Sequence, residues 1–161
     1  MIEFRAGELA DTHAVAAAVA SLSHSGDIIV LAGEMGTGKT AFAQGFGAAL
    51  GVTEPITSPT FTLVHSYPVG KTTLHHADLY RLDHLGEVAD LALDELAESH
   101  GIVLVEWGDV ADAMFGDHLE VHLALDAAAP DDVGARVITL VPRGRSWSRR
   151  WDRLQAALAA C

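Results

Sequence analysis

Two short runs in this chain are apolar at every position, Ile28 to Ala32 and Ile102 to Val105, as in strands buried on both faces of a sheet. Elsewhere the polar positions recur with a period. His118 to Leu125 and Arg136 to Val141 alternate apolar and polar residues across an Asp126 to Gly134 turn, which predicts half-exposed antiparallel strands. Phe61 to Tyr67 and Thr72 to Ala77 read as a hairpin joined across Pro68-Val69-Gly70, and Ile2 to Arg5 as a short edge strand. Helical spacing predicts a helix from a cap at Asp11 or Thr12 through His13 to Leu22 and a second from Ala41 to Leu50, stopped by Gly51. One or two further turns are expected within Gly86 to Glu98, where Val88, Leu91, Leu93 and Leu96 face inward. From Ser146 onward, Trp147, Trp151, Leu154 and Leu158 fall on one helical face beside several arginines, and these aromatics are read as core. Strands alternating with helices predict an α/β fold.

Between the first buried run and its helix lies Gly33-Glu34-Met35-Gly36-Thr37-Gly38-Lys39-Thr40, then Ala41. This matches G-x-x-x-x-G-K-[ST], the P-loop that cradles nucleotide phosphates with its backbone N–H groups. Its glycines admit a backbone close to the phosphates, Lys39 would reach the β and γ oxygens, and the Thr40 hydroxyl would ligate Mg²⁺. Strand before and helix after supply the required setting, with the helix N-terminus facing the anion. The expected architecture is therefore a P-loop nucleoside triphosphate hydrolase fold, a mixed and mostly parallel sheet with flanking helices and antiparallel additions.

A P-loop needs an acid at the end of a neighbouring buried strand. Glu106 ends the second apolar run, at the carboxyl edge where open α/β sheets hold ligands. A second acid sits in His75-His76-Ala77-Asp78-Leu79-Tyr80-Arg81. Residues two apart share a strand face, so His76 and Asp78 point together toward the cleft and His75 points away. Adjacent histidines on opposite faces make a poor zinc site. Asp78 could orient an attacking water or hold Mg²⁺ through water; its alternative is a structural partner for Arg81. The loop Ile56-Thr57-Ser58-Pro59-Thr60 falls where nucleotide switches place a hydroxyl-bearing segment that senses the γ-phosphate; a plain turn is the other reading. The chain has no asparagine, hence no Asn-Lys-x-Asp guanine reader, which favours ATP/ADP over guanine nucleotides. Its two glutamines, Gln44 and Gln155, lie outside the switch-like loop, so slow intrinsic hydrolysis is expected.

Charge sharpens the picture more than composition does. The net charge is −12, but residues 1–135 carry 21 acids against Arg5, Lys39, Lys71 and Arg81, a net −17. Residues 136–161 carry six arginines against Asp152, a net +5. Such a body is poorly suited to wrapping nucleic acid unaided. It suits either docking on a basic partner or simple solubility. With 161 residues, half of them hydrophobic, one domain over residues 1–161 is expected, with 143–161 as a basic helical tail. The only cysteine is Cys161 and no run reaches the length of a membrane span, so no membrane partner and a cytoplasmic setting are expected.

In series, Gly33 to Thr40, Ser58-Pro59-Thr60-Phe61-Thr62, His76-x-Asp78-Leu79-Tyr80-Arg81 and Val105-Glu106-Trp107 resemble the bacterial TsaE family, over roughly residues 11–125. That resemblance implies a small ATPase of tRNA threonylcarbamoyladenosine biosynthesis. It implies that Lys39 and Thr40 bind phosphate and Mg²⁺, that Thr60 lies in a switch, and that Asp78 and Glu106 serve hydrolysis and metal. It further implies TsaB and TsaD as partners, with TsaD carrying out carbamoyl transfer to adenosine 37 of ANN-decoding tRNAs and tRNA met only through them. Ala92 stands where the family is expected to have glycine, and the tail from Arg143 matches none of the family's motifs. From the residues alone, two rivals stay open: a small-molecule P-loop kinase, which would need a phosphate-facing arginine lid, and a nucleotide-dependent docking switch without turnover.

Overall fold

The buried run Ile28–Ala32 (β2) lies at the centre of a seven-stranded sheet, with parallel neighbours on both sides. This computed structural model describes residues 1–57, 64–79, 93–107 and 115–161. The other strands are β1 (Ile2–Ala6), β3 (Val64–Val69), β4 (Thr72–Asp78), β5 (Gly101–Trp107), β6 (His118–Leu125) and β7 (Arg136–Arg143). Their order is β1-β7-β6-β2-β5-β4-β3. The four central strands β6, β2, β5 and β4 are parallel, while β3, β7 and β1 join by antiparallel pairing at the two sides. A parallel centre gathers the carboxyl ends of β2, β4, β5 and β6 on one edge.

One sheet face is covered by helices α1 (Leu9–Leu22), α2 (Lys39–Leu50) and, at the chain end, α4 (Trp151–Ala159). Val15, Val19, Phe42, Phe46, Trp147 and Leu154 meet Ile29, Leu31, Leu104, Leu119, Val121 and Ile138 in the larger core. α1 and α2 approach closely because Gly45 has no side chain; a Cβ there would lie 2.9 Å from the His13 Cα. The opposite face holds a smaller core in which Leu93 and Ala97 of α3 (Leu93–Glu98) pack on Val30, Ala77, Val103 and Val105. Among the described residues no helix is long and apolar enough to cross a membrane.

Several local expectations change. α1 begins at Leu9 rather than near Thr12, because Asp11 caps backward: its carboxylate accepts from the N–H groups of Gly7 and Glu8 at 2.8 and 3.1 Å. The hairpin turns at Gly70-Lys71, and Pro68 stays within β3, which an edge strand tolerates. The first half of β6 is fully buried rather than half-exposed, since it pairs with β2 as well as β7. The tail is a 3₁₀ turn, Ser148–Arg150, leading into α4, with Trp147 fully buried. Residues Phe61 to Leu63 of the expected hairpin, and the 86–92 part of the expected helical turns including Ala92, lie outside the described residues.

Candidate functional site

The glycine-rich loop leaves the carboxyl end of β2 and opens α2, whose cap Gly38 is left-handed at φ 104°. Gly33 passes so near β6 that a Cβ would meet the Leu123 carbonyl oxygen at 2.3 Å, which confines this position to glycine. Within the loop, the Thr37 hydroxyl donates to the Glu34 carbonyl at 2.7 Å and Thr37 is buried. Glu34 and Met35 form the exposed tip, and Ala41 is half-buried in the first turn of α2. The Lys39 ammonium donates to the carbonyls of Gly33 and Glu34 at 2.7 and 2.8 Å, and so lies across the loop's own concavity. Burial pushes the Lys39 pKa below the ordinary lysine value; the nearby carboxylates of Glu106 and Asp78 oppose that shift.

Asp78 and Glu106 come together by register, as direct neighbours on parallel β4 and β5. Beyond Asp78 the pairing is extended by the Leu79 N–H donating to the Glu106 carbonyl at 2.9 Å. Glu106 is buried, and its Oε1 accepts from the Thr40 hydroxyl at 3.4 Å and contacts His76 Nε2 at 2.9 Å. His76 is fully buried, and its Nδ1 has no hydrogen-bond partner among the described residues. A proton on Nδ1 would leave a buried donor unsatisfied, so Nε2 carries the hydrogen and donates to Glu106. The expectation that His76 points with Asp78 to one face holds, but His76 serves Glu106 from beneath rather than lining an open cleft. His75 points to the other face, where its Nδ1 lies 2.8 Å from the Ser66 hydroxyl.

Thr60, and with it Ser58 to Thr62 and Tyr80-Arg81, lies outside the described residues. What is described of the preceding loop is its root: Gln44 on α2 donates to the Ile56 carbonyl at 3.1 Å, and Ile56 is buried. Among the described residues no group of three or more His, Cys, Asp or Glu is placed to hold a metal. Thr40 and Glu106 offer two hard oxygen donors side by side. Mg²⁺, which keeps waters and binds substrate phosphates, ordinarily takes no more than that from a protein.

Sequence reasoning overlooked Arg136. From β7 its guanidinium reaches the loop, with Nε 3.1 Å from the Thr37 carbonyl and Nη2 3.4 Å from that of Gly36. The only available signal was its place at the start of the strand after the Asp126 to Gly134 turn. Two arginines of the basic tail are also occupied. Arg143 makes a two-point contact with buried Glu120 at 2.8 and 3.1 Å, and Arg150 clamps Asp27.

Against known proteins, a model of the TsaE family, described as threonylcarbamoyl adenosine biosynthesis protein TsaE, matches residues 6–133. The tRNA threonylcarbamoyladenosine biosynthesis protein TsaE of Bacillus subtilis is 33% identical over 144 residues, covering 89% of this chain and 87% of that protein. Its counterpart in Streptomyces coelicolor is 37% identical over 135 residues, covering 81% of this chain and 89% of the relative. The crystal structure of Bacillus subtilis YdiB superposes with a TM-score of 0.69 at 30% identity, over 99% of this chain and 94% of that one. The single mixed sheet with flanking helices is thus an arrangement already seen in a solved structure.

Proposed function

The chain belongs to the TsaE family, and from that premise we propose that it is a P-loop ATPase that supports threonylcarbamoyladenosine formation on tRNA, using Mg²⁺ and acting with TsaB and TsaD. The observation that carries this reading is the convergence of Lys39, Thr40, Asp78 and Glu106 on one sheet edge at the mouth of the glycine-rich loop. No other described part of the molecule combines an anion-binding helix start with paired acids.

In this reading the N–H groups from Gly33 to Ala41 hold the phosphates of ATP or ADP, aided by the α2 dipole. The Lys39 ammonium, now satisfied by two loop carbonyls, exchanges them for the β and γ oxygens. Its partial burial suits that exchange, because a poorly solvated ammonium gains more from an anion than a hydrated one does. Thr40 and Glu106 would hold Mg²⁺, which when bound neutralises charge on the β and γ oxygens. His76 fixes one Glu106 oxygen from below, leaving the carboxylate a single orientation toward Thr40. Asp78, beside it, orients the attacking water and can take up its proton. Thr60 is assigned to a switch that reports the γ-phosphate to the partners. The setting is cytoplasmic, where tRNA modification would be met only through the partner complex.

Titration calorimetry on the wild-type chain and on Lys39→Ala, paired with phosphate release in the presence and absence of TsaB and TsaD, tests the proposal. Wild type should bind ATP with Mg²⁺ and release phosphate faster with partners. Lys39→Ala should bind at least about tenfold more weakly while remaining folded, since a charge-assisted contact to phosphate is lost. Equal ATP affinity in the folded variant would discard the assignment of the loop.

A further inference from the structure

We propose that Arg136 is a positioning residue for the glycine-rich loop, holding two consecutive loop peptides so that their N–H groups face the bound phosphates. The inference rests on the nucleotide reading above and adds to it a residue outside the loop, from beyond the segment that the family model matches.

The geometry is specific. The Arg136 guanidinium donates from Nε to the Thr37 carbonyl and from Nη2 to the Gly36 carbonyl, at 3.1 and 3.4 Å. In a planar trans peptide the C=O and the N–H point in opposite directions. The Gly36 carbonyl shares its peptide with the Thr37 N–H, and the Thr37 carbonyl shares its peptide with that of Gly38. Tying both carbonyls to one guanidinium therefore turns both N–H groups to the side away from Arg136, where the Thr37 N–H makes a long 3.4 Å contact with the Glu34 carbonyl that a bound phosphate would share or replace. Left alone, glycines at 36 and 38 would let these peptides flip, because positive φ is accessible at both. A loop that must be ordered on binding loses affinity to that ordering; one held in advance does not.

The anchor itself is firm. β7 is an interior strand, and Arg136 pairs with Ala6 on one side and Leu125 on the other. Its Nη1 also donates to the carbonyls of Val133 and Ala135, at 2.6 and 3.1 Å. Four carbonyls thus orient one rigid fork, a role for which a lysine head has the charge but not the shape. Among the described residues Arg136 has no carboxylate partner, so its charge also adds to the positive field beside the loop. A competing role is available: the same side chain could merely staple the turn before β7 through Val133 and Ala135.

Arg136→Lys and Arg136→Gln separate these roles. Calorimetry would read the affinity of each for ATP, ADP and adenosine, and hydrogen exchange would read the Thr37 and Gly38 amides against those of β7. We expect Arg136→Lys, which keeps the charge, to bind ATP about tenfold more weakly and to exchange Thr37 and Gly38 faster, with β7 protection and the unfolding midpoint unchanged. Arg136→Gln should lose more ATP affinity than Arg136→Lys. Wild-type ATP affinity in both variants, or a loss that follows global destabilisation without faster exchange in the loop, would overturn this inference alone. A wild-type chain that binds no ATP would overturn the nucleotide reading and this inference together.

Discussion

Arg150 and Asp27, 123 residues apart, face each other as a buried fork-to-fork pair, with both guanidinium–carboxylate distances at 2.7 Å. Each partner does more than meet the other. Asp27 also accepts from the His24 N–H in the turn before β2, and Arg150 donates to the Leu22 carbonyl at the end of α1 and stacks over Trp147. The pair therefore fastens the chain end to the entry of the central strand.

A buried ion pair is stabilising mainly in the sense that breaking it strands a charge. Arg150→Ala is accordingly expected to cost about 3 kcal/mol, and Asp27→Ala a similar amount. The double variant should cost less than the two together, because neither charge is left alone. Denaturant titration of the four proteins measures this. Strict additivity would show that the contact is geometrically close yet energetically idle.

Asp78 and Glu106 yield a prediction about turnover rather than stability. In Glu106→Gln the side-chain carbonyl can still accept from Thr40 and His76, so the site keeps its shape and loses a charge. Asp78→Asn is likewise near-isosteric. Both should retain ATP affinity to within about tenfold while hydrolysis with partners falls by about two to four orders of magnitude. Normal hydrolysis in either variant would remove that residue from the catalytic assignment.

His75 supplies a pH dependence of known sign. It sits against Ser66 and Gly101, and burial pushes its pKa below the ordinary histidine value. The folded chain therefore binds its proton less readily than the unfolded chain does. The stability tied to His75 is fully present above the ordinary imidazole pKa and is lost as pH falls below it toward the folded value. Thermal melts from pH 7.5 to 5 should show a shallower decline in His75→Gln than in wild type. Parallel curves would mean that other groups account for the whole slope.

What could be read in advance, and what could not, follows from the range of each interaction. The β2–loop–α2 unit was legible because strand, glycines, Lys39 and helix are contiguous and each signal is local. Asp78 and Glu106 were legible as separate strand ends, but the His76–Glu106 contact depends on β4 lying beside β5, which no local pattern states. The alternation in His118 to Leu125 misled for a related reason. His118 and Glu120 look like solvent positions, yet both are buried, with Glu120 satisfied by Arg143, His118 and His122. Polar residues buried in pairs mimic an exposed strand until the partner is known. The basic tail misled in the same way, since Arg150 is buried against Asp27 and Arg143, though exposed, is held by buried Glu120.

That internal pairing determines the last prediction, that the chain touches tRNA weakly by itself. Arg136, Arg143 and Arg150 are engaged by loop carbonyls, Glu120 and Asp27, Arg143 while still exposed, whereas Arg145, Arg149 and Arg153 are exposed and their side chains make no ion pair among the described residues. Three exposed tail arginines without an acidic partner among the described residues, against a body of net −17, can neutralise few phosphates. Direct tRNA affinity should be weak at physiological salt, and log K should fall against log salt with a slope no steeper than about −3. Replacing Arg145, Arg149 and Arg153 together with glutamine leaves the three structural arginines in place, so a loss of binding cannot be blamed on unfolding. In anisotropy measurements the triple variant should lose the residual tRNA signal yet still bind TsaB and TsaD with its ATP/ADP difference intact. Tight tRNA binding by the wild-type chain, abolished in the triple variant, would make the tail an RNA-reading element and displace the partner complex as the route to tRNA.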